Sequence, residues 1–293
     1  MKIENWKVKV ERMYKVLLVS MLSFFVTAAS AQPAENDSIL VMKIFSEMNG
    51  RQADKQLIID IGKHFVGTPY VGKTLEVNPT EHLVVNLREL DCTTFVENVV
   101  AIYLCIKENK TSFRDFKTML RKIRYKDGNV AYENRLHYFT SWVDNAEHQG
   151  FAREYHDAYK PFSGRKILNI NYMTTHPSLY PMMNGNDEMT GKIRATEQSL
   201  TGRRQQYIPK QNLRDTSMRK HIADGDIIVI VTNKKGLDTS HIGLACWQDG
   251  SLHLLNASSI HKKVVIEPMT LYAYMQRHPS QIGIRVIRLT DNK

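Results

Sequence analysis

Two kinds of periodicity divide the chain. In the first third, apolar residues recur at helical spacing in "ENDSILVMKIFSEMNG" (35–50) and "RQADKQLIIDIGKHFVG" (51–67), with Gly50 and Gly67 as stops. "TPYVG" (68–72) reads as a turn, and residues 73–90 hold no periodic element. From Cys92 onward Phe95, Val96, Val99, Val100, Tyr103 and Ile106 trace one helical face, with Asp91 a good N-cap. The last third changes character: "DGDIIVIVTN", "SHIGLACWQ", "LHLLNAS", "KKVVIEP" and "QIGIRVIRL" are short β-rich runs split by turn residues such as "QDG". Helices first and a strand meander last predict an α+β fold, with the helices packed on one face of an antiparallel sheet. Residues of about 110–220, including "NRLHYFTSW", lack a dominant period and stay unassigned.

The first residues belong to a different pattern. Lys7, Lys9, Arg12 and Lys15 precede an apolar run (16–28) and the small-residue site "ASA" (29–31), the layout of a secretory signal peptide. Cleavage after Ala31 leaves residues 32–293 as one domain, exported to the periplasm or cell envelope. The apolar run is too short to span a bilayer comfortably, about 20 residues being needed, so stable membrane insertion is not expected. The excised segment carries five Lys/Arg and two Asp/Glu, so the net charge falls from +10 to +7. An exported basic protein is suited to anionic wall polymers rather than to nucleic acid. A monomer is the default expectation.

Three cysteines are an odd number for an exported chain. Cys92 and Cys105 on one helix lie about 20 Å apart and cannot bridge, because a disulfide needs Cα atoms within about 7 Å. Cys105 with Cys246 stays open, as a bridge or as two buried thiols. Cys92 stands apart because N–H groups at a helix start stabilise a thiolate and can hold an oxyanion. A thiol nucleophile needs a base, and His241 opens a strand between the small residues Ser240 and Gly243. The base needs an orienting partner, which strand alternation offers as Asn256 on one face or His253 on the other. His241, His253 and His261 lack the close spacing of catalytic zinc ligands, so no metal and no cofactor are expected.

"GTPYVG" (67–72), "LDCTTFVE" (90–97), "DGDIIVI" (224–230), "SHIGLA" (240–245) and "LNAS" (255–258) stand in the order found in the NlpC-type cell-wall cysteine hydrolases, which this chain resembles. The longer Tyr70-to-Cys92 gap, "DCTT", and a large insert of about 110–220 between the Cys92 helix and the sheet resemble its N-acetylmuramoyl-L-alanine amidase-like subfamily, once catalogued as a domain of unknown function. The resemblance implies a papain-like fold and peptidoglycan fragments (muropeptides) as partners, cut between muramic acid and L-alanine. It implies Cys92 as nucleophile, His241 as base, Asn256 as orienting residue and Tyr70 beside the thiol as an oxyanion or substrate contact. Arg135, His137, Tyr138, Trp142 and Ser240 are candidate substrate contacts: Arg135 for a stem-peptide carboxylate, the aromatics for stacking on sugar. The rival activities are a γ-D-glutamyl endopeptidase of the same fold and a wall-binding protein without catalysis. A thiol protease or transglutaminase is a weaker alternative.

Overall fold

The helix that carries the cysteine is built to be central. In the computed structural model, which describes residues 31–157, 160–214 and 216–290, it spans Cys92–Lys107 (α3). Asp91 accepts the Thr94 N–H at 2.8 Å, and Thr94 Oγ1 accepts the Asp91 N–H at 2.9 Å, a reciprocal cap that sets where the helix starts. Twelve consecutive residues, Thr94 to Cys105, are buried, so the helix is enclosed all round and not on one face alone.

Around α3 pack α1 (Ala31–Glu47), α2 (Lys55–Lys63), α4 (Phe113–Arg124) and α5 (Phe139–His148). Asp54 caps α2, accepting the Leu57 N–H at 2.8 Å. The predicted signal segment lies outside the described residues, except that α1 begins at Ala31. Among the described residues, no helix is long and apolar enough to cross a membrane.

The sheet has eight strands: β1 (Ala152–Tyr155), β2 (Gly164–Ile167), β3 (Arg204–Pro209), β4 (Ile227–Thr232), β5 (Thr239–Gln248), β6 (Ser251–Ser258), β7 (Lys263–Ile266) and β8 (Gln281–Leu289). Its order is β2-β3-β8-β4-β5-β6-β7, with β1 also on β8, and every pairing is antiparallel. All five predicted strand runs are present.

The expectation of helices on one face only needs correction. Val229, Leu244 and Leu255 face the helices, while Ile228, Ile230, Ala245, Leu254 and Val286 pack against a second layer. That layer comprises Phe162, Ile208, Leu213, Met218 and Ile222 of the insert, with Leu271 and Met275 of α8 (Leu271–Gln276). The unbroken run "IIVIV" in β4 is buried throughout for this reason: a strand covered on both faces has no solvent side.

The insert is therefore spread over three cores. Its α4 and α5 join the main core, its β1–β3 extend the sheet, and its middle forms a third cluster. That cluster gathers Tyr132, Tyr138, Leu168, Met173, Ile193 and Leu200 around α6 (Tyr172–Thr175) and α7 (Asp187–Leu200).

Candidate active site

Cys92 is the first residue of α3, partly exposed, and unbridged; Cys105 and Cys246 are buried free thiols. The β5–β6 ladder stops at Leu244↔Leu255, although both strands continue. Ala245 N–H donates to Asp226 O on the β4 side, so by the two-residue period Ile242 N–H points to the β6 side, where no ladder partner remains. It is directed at the Cys92 sulfur, as is the Thr93 N–H. These donors favour a thiolate, but burial and the neighbouring Asp91 outweigh them and push the thiol up to about 12. The thiolate-stabilising effect expected from a helix start is thus overruled in the free protein.

His241 sits one residue earlier on β5. Its Nε2 lies 2.9 Å from Asn256 Oδ1 on β6, while Asn256 Nδ2 donates to Leu254 O at 3.1 Å. The second bond orients the amide, so Oδ1 is the atom offered to the imidazole and Nε2 carries the proton. Nδ1 is left as the free lone pair. Burial holds the His241 pKa below the ordinary imidazole value, opposed by the Asn256 bond. Burial thus favours the neutral form of both groups.

Gly243 is the residue that permits this contact. A Cβ there would lie 2.9 Å from Asn256 Cβ and 2.8 Å from Leu254 Cγ. The glycine makes room for Asn256, not for a ligand as its place beside His241 suggests from sequence. His253 points elsewhere, its Nδ1 2.8 Å from Glu267 O.

Cys92 and His241 line one cavity of about 190 Å³ together with Leu136, His137, Tyr138, Phe139, Met173, Tyr180 and the 237–240 segment, Ser240 included. A second cavity of about 210 Å³ shares Thr93, Leu136, His137 and Tyr180 with it. Tyr70 is half-buried, and burial together with the nearby Cys92 and Asp91 pushes its phenol up to about 12, keeping the O–H as a donor.

The insert residues distribute unevenly. His137 and Tyr138 line the cavity that holds Cys92 and His241, in an extended segment before α5 and not on a helix. The His137 ring stacks at a tilt on Tyr132, its Nε2 2.8 Å from Tyr132 O, and burial plus Arg135 lower its pKa to about 3. Tyr138 O–H donates to Glu197 Oε1 at 2.7 Å.

Two expectations are corrected. Arg135 is buried and ion-paired with Glu76 and Glu81, so its charge is already balanced within the protein and not free for a stem-peptide carboxylate. Trp142 is fully buried, stacked on Phe139 at 4.9 Å and edge-on to Phe151 at 5.6 Å, so it cannot stack on a sugar. Sequence reasoning missed Asp238, which lines the cavity, and Glu197, which holds Tyr138 and the start of α6. Asp238, three residues before His241, was open to notice; Glu197 carries no local signal. Among the described residues no group of His, Cys, Asp and Glu has metal-site geometry.

The fold is shared with solved structures. A Bacteroides uniformis N-acetylmuramoyl-L-alanine amidase is 39% identical, with a TM-score of 0.76, over 81% of this chain and 99% of that one. A Bacteroides fragilis protein provisionally named a xylanase is 41% identical, with a TM-score of 0.73, over 78% of this chain and 99% of that one. A Legionella pneumophila protein at 22% identity and a TM-score of 0.72, over 90% of this chain and 98% of that one, shares the fold alone. No curated protein matches the chain. Residues 60–284 match the N-acetylmuramoyl-L-alanine amidase-like family, and the chain belongs to that family.

Proposed function

We propose that the protein is a thiol-dependent N-acetylmuramoyl-L-alanine amidase of NlpC-type, papain-like architecture that hydrolyses the lactyl–L-alanine amide of muropeptides. The observation that carries the reading is the His241–Asn256 bond at 2.9 Å beside the helix-start thiol, because it leaves Nδ1 of an uncharged imidazole as the base of a cavity that also contains Cys92.

His241 Nδ1 takes the Cys92 proton as the sulfur bonds to the lactyl carbonyl carbon. The oxyanion is held by the Cys92 N–H, with the Tyr70 O–H as a second donor. The imidazolium then gives its proton to the departing L-alanine nitrogen as the C–N bond breaks, leaving a thioester. Water, deprotonated by His241, attacks the thioester; the sulfur leaves and recovers its proton. Asn256 keeps the imidazole in one tautomer through both halves. Since both reacting groups start neutral, the proton moves with the attack and no preformed ion pair is needed.

The xylanase name of one neighbour fits this cavity less well. Glycoside hydrolysis uses a pair of carboxylates, and Asp238 is the one carboxylate among the lining residues. We place the enzyme outside the cytoplasm, on the N-terminal basic and apolar segment and the basic charge of the remainder, and take a monomer as the default. The test is product analysis on defined muramoyl-peptides. Release of free stem peptide by the wild type, and none by Cys92→Ala with an unchanged melting temperature, is expected. Release of L-Ala-γ-D-Glu instead identifies an endopeptidase, and hydrolysis by the Cys92→Ala variant sinks the thiol mechanism.

A further inference from the structure

The catalytic cavity has two unlike walls. Leu136, Tyr138, Phe139, Met173 and Tyr180 form an apolar and aromatic side; Asp238, Thr239 and Ser240 form a polar side that leads to His241. Asp238 is only 2% exposed. Its Oδ2 accepts the Thr140 N–H at 2.8 Å and the Thr140 Oγ1–H at 2.7 Å. The first bond caps α5 from 98 residues away, because the helix's own N-cap, Tyr138, supplies no side-chain bond. Arg285 fixes the same hydroxyl, its Nη1 3.2 Å from Thr140 Oγ1.

That cap uses one oxygen. Asp238 Oδ1 accepts no protein hydrogen bond among the described residues. Next to it, Thr239 Oγ1 is buried without a partner. Thr239 Oγ1 is sealed from solvent and Asp238 Oδ1 is not, so the unpaired carboxylate oxygen of this cavity-lining residue indicates where a ligand donor belongs.

Building on the amidase reading, we infer that Asp238 is the binding residue for the amino-sugar on the acyl side of the scissile amide. Asp238 Oδ1 accepts a ring hydroxyl. A carboxylate facing an aromatic wall suits a pyranose, whose C–H face packs on rings while its hydroxyls seek a charged acceptor. The cavity, about 190 Å³, lies below the usual range for drug-sized ligands and so takes one ring and not a disaccharide. The sugar therefore lies toward α5 and α6, with the lactyl carbonyl reaching back to Cys92.

The experiment measures binding of N-acetylmuramic acid and of N-lactyl-L-alanine to Cys92→Ala protein, with and without Asp238→Asn. Asparagine keeps an oxygen for the Thr140 N–H but loses the charge. N-acetylmuramic acid is expected to bind at least tenfold more weakly to the Asp238→Asn protein, while N-lactyl-L-alanine binding stays within twofold and the melting temperature is kept. Should that variant fail to fold, Tyr180→Leu in the same background is expected to weaken sugar binding severalfold. Equal sugar affinity with and without the substitution overturns the inference, as does an absence of sugar binding to Cys92→Ala protein. Parallel weakening of both ligands also overturns it, since that is what loss of the helix cap alone produces. The wild-type digest is scored separately: sugar binding through Asp238 without amide cleavage would refute the amidase reading and leave this site standing.

Discussion

Gly243→Ala tests whether the orienting bond depends on one missing methyl group. The added Cβ would fall 2.8 Å from Leu254 Cγ, 2.9 Å from Leu254 Cδ1 and 2.9 Å from Asn256 Cβ, all closer than carbon atoms pack. Overpacking of this kind costs about 1–3 kcal/mol, which for a domain of this size is roughly 3–9 °C in melting temperature. Asn256 Cβ is fixed by its own backbone, so relief moves β6 away from β5 and lengthens the 2.9 Å contact of Asn256 with His241. Loss of a neutral hydrogen bond is worth about 0.5–1.5 kcal/mol, so kcat should fall by up to about tenfold. Gly62→Ala is the control. It overpacks the opposite face of β6, where its Cβ would meet Leu255 Cδ2 at 2.7 Å, without touching Asn256. Calorimetry and steady-state hydrolysis of a muramoyl-peptide read both effects. If the two variants lose stability alike and Gly243→Ala keeps the wild-type kcat, the argument that Gly243 exists to seat Asn256 is wrong.

Two further outcomes follow from the same geometry. His137 titrates near 3 in the folded protein against an ordinary 6.5, so the unfolded chain takes up a proton that the folded one refuses. Its contribution to stability is complete above about pH 6.5 and is lost as pH falls toward 3, at up to about 1.4 kcal/mol per pH unit. Urea unfolding at pH 7, 6 and 5 should show a shallower acid loss in His137→Gln, and parallel curves for variant and wild type would contradict this. Trp142→Phe should lower the melting temperature through the α5 core while leaving KM within twofold; a large rise in KM would restore Trp142 as a substrate contact.

Much of the site was legible because its signals are local. Asp91 before a run of helix-forming apolar residues sets where α3 begins, and therefore that Cys92 is at its first turn. Strand alternation already separated Asn256 from His253, and the structure brings Asn256 to His241. The five β-rich runs needed only their own periodicity. Where the prediction failed, the deciding contact is distant in sequence. Arg135 looks like a free cation until Glu76 and Glu81, more than fifty residues upstream, are folded against it. Trp142 looks like an exposed ring until α5 packs into the main core, where the ring is fully buried.

By itself the sequence determined the capped helix start, the strand runs, the face that carries Asn256 and the family motifs, since each follows from bonds and periods within a few residues. Tertiary structure alone decided that the insert covers the back of the sheet and that the β5–β6 ladder opens opposite Cys92. It also decided that Asp238 reaches across 98 residues to cap α5. Such features depend on which surfaces are removed from water together. Burial acts on the whole assembly, so it can raise a thiol pKa that a helix start alone would lower.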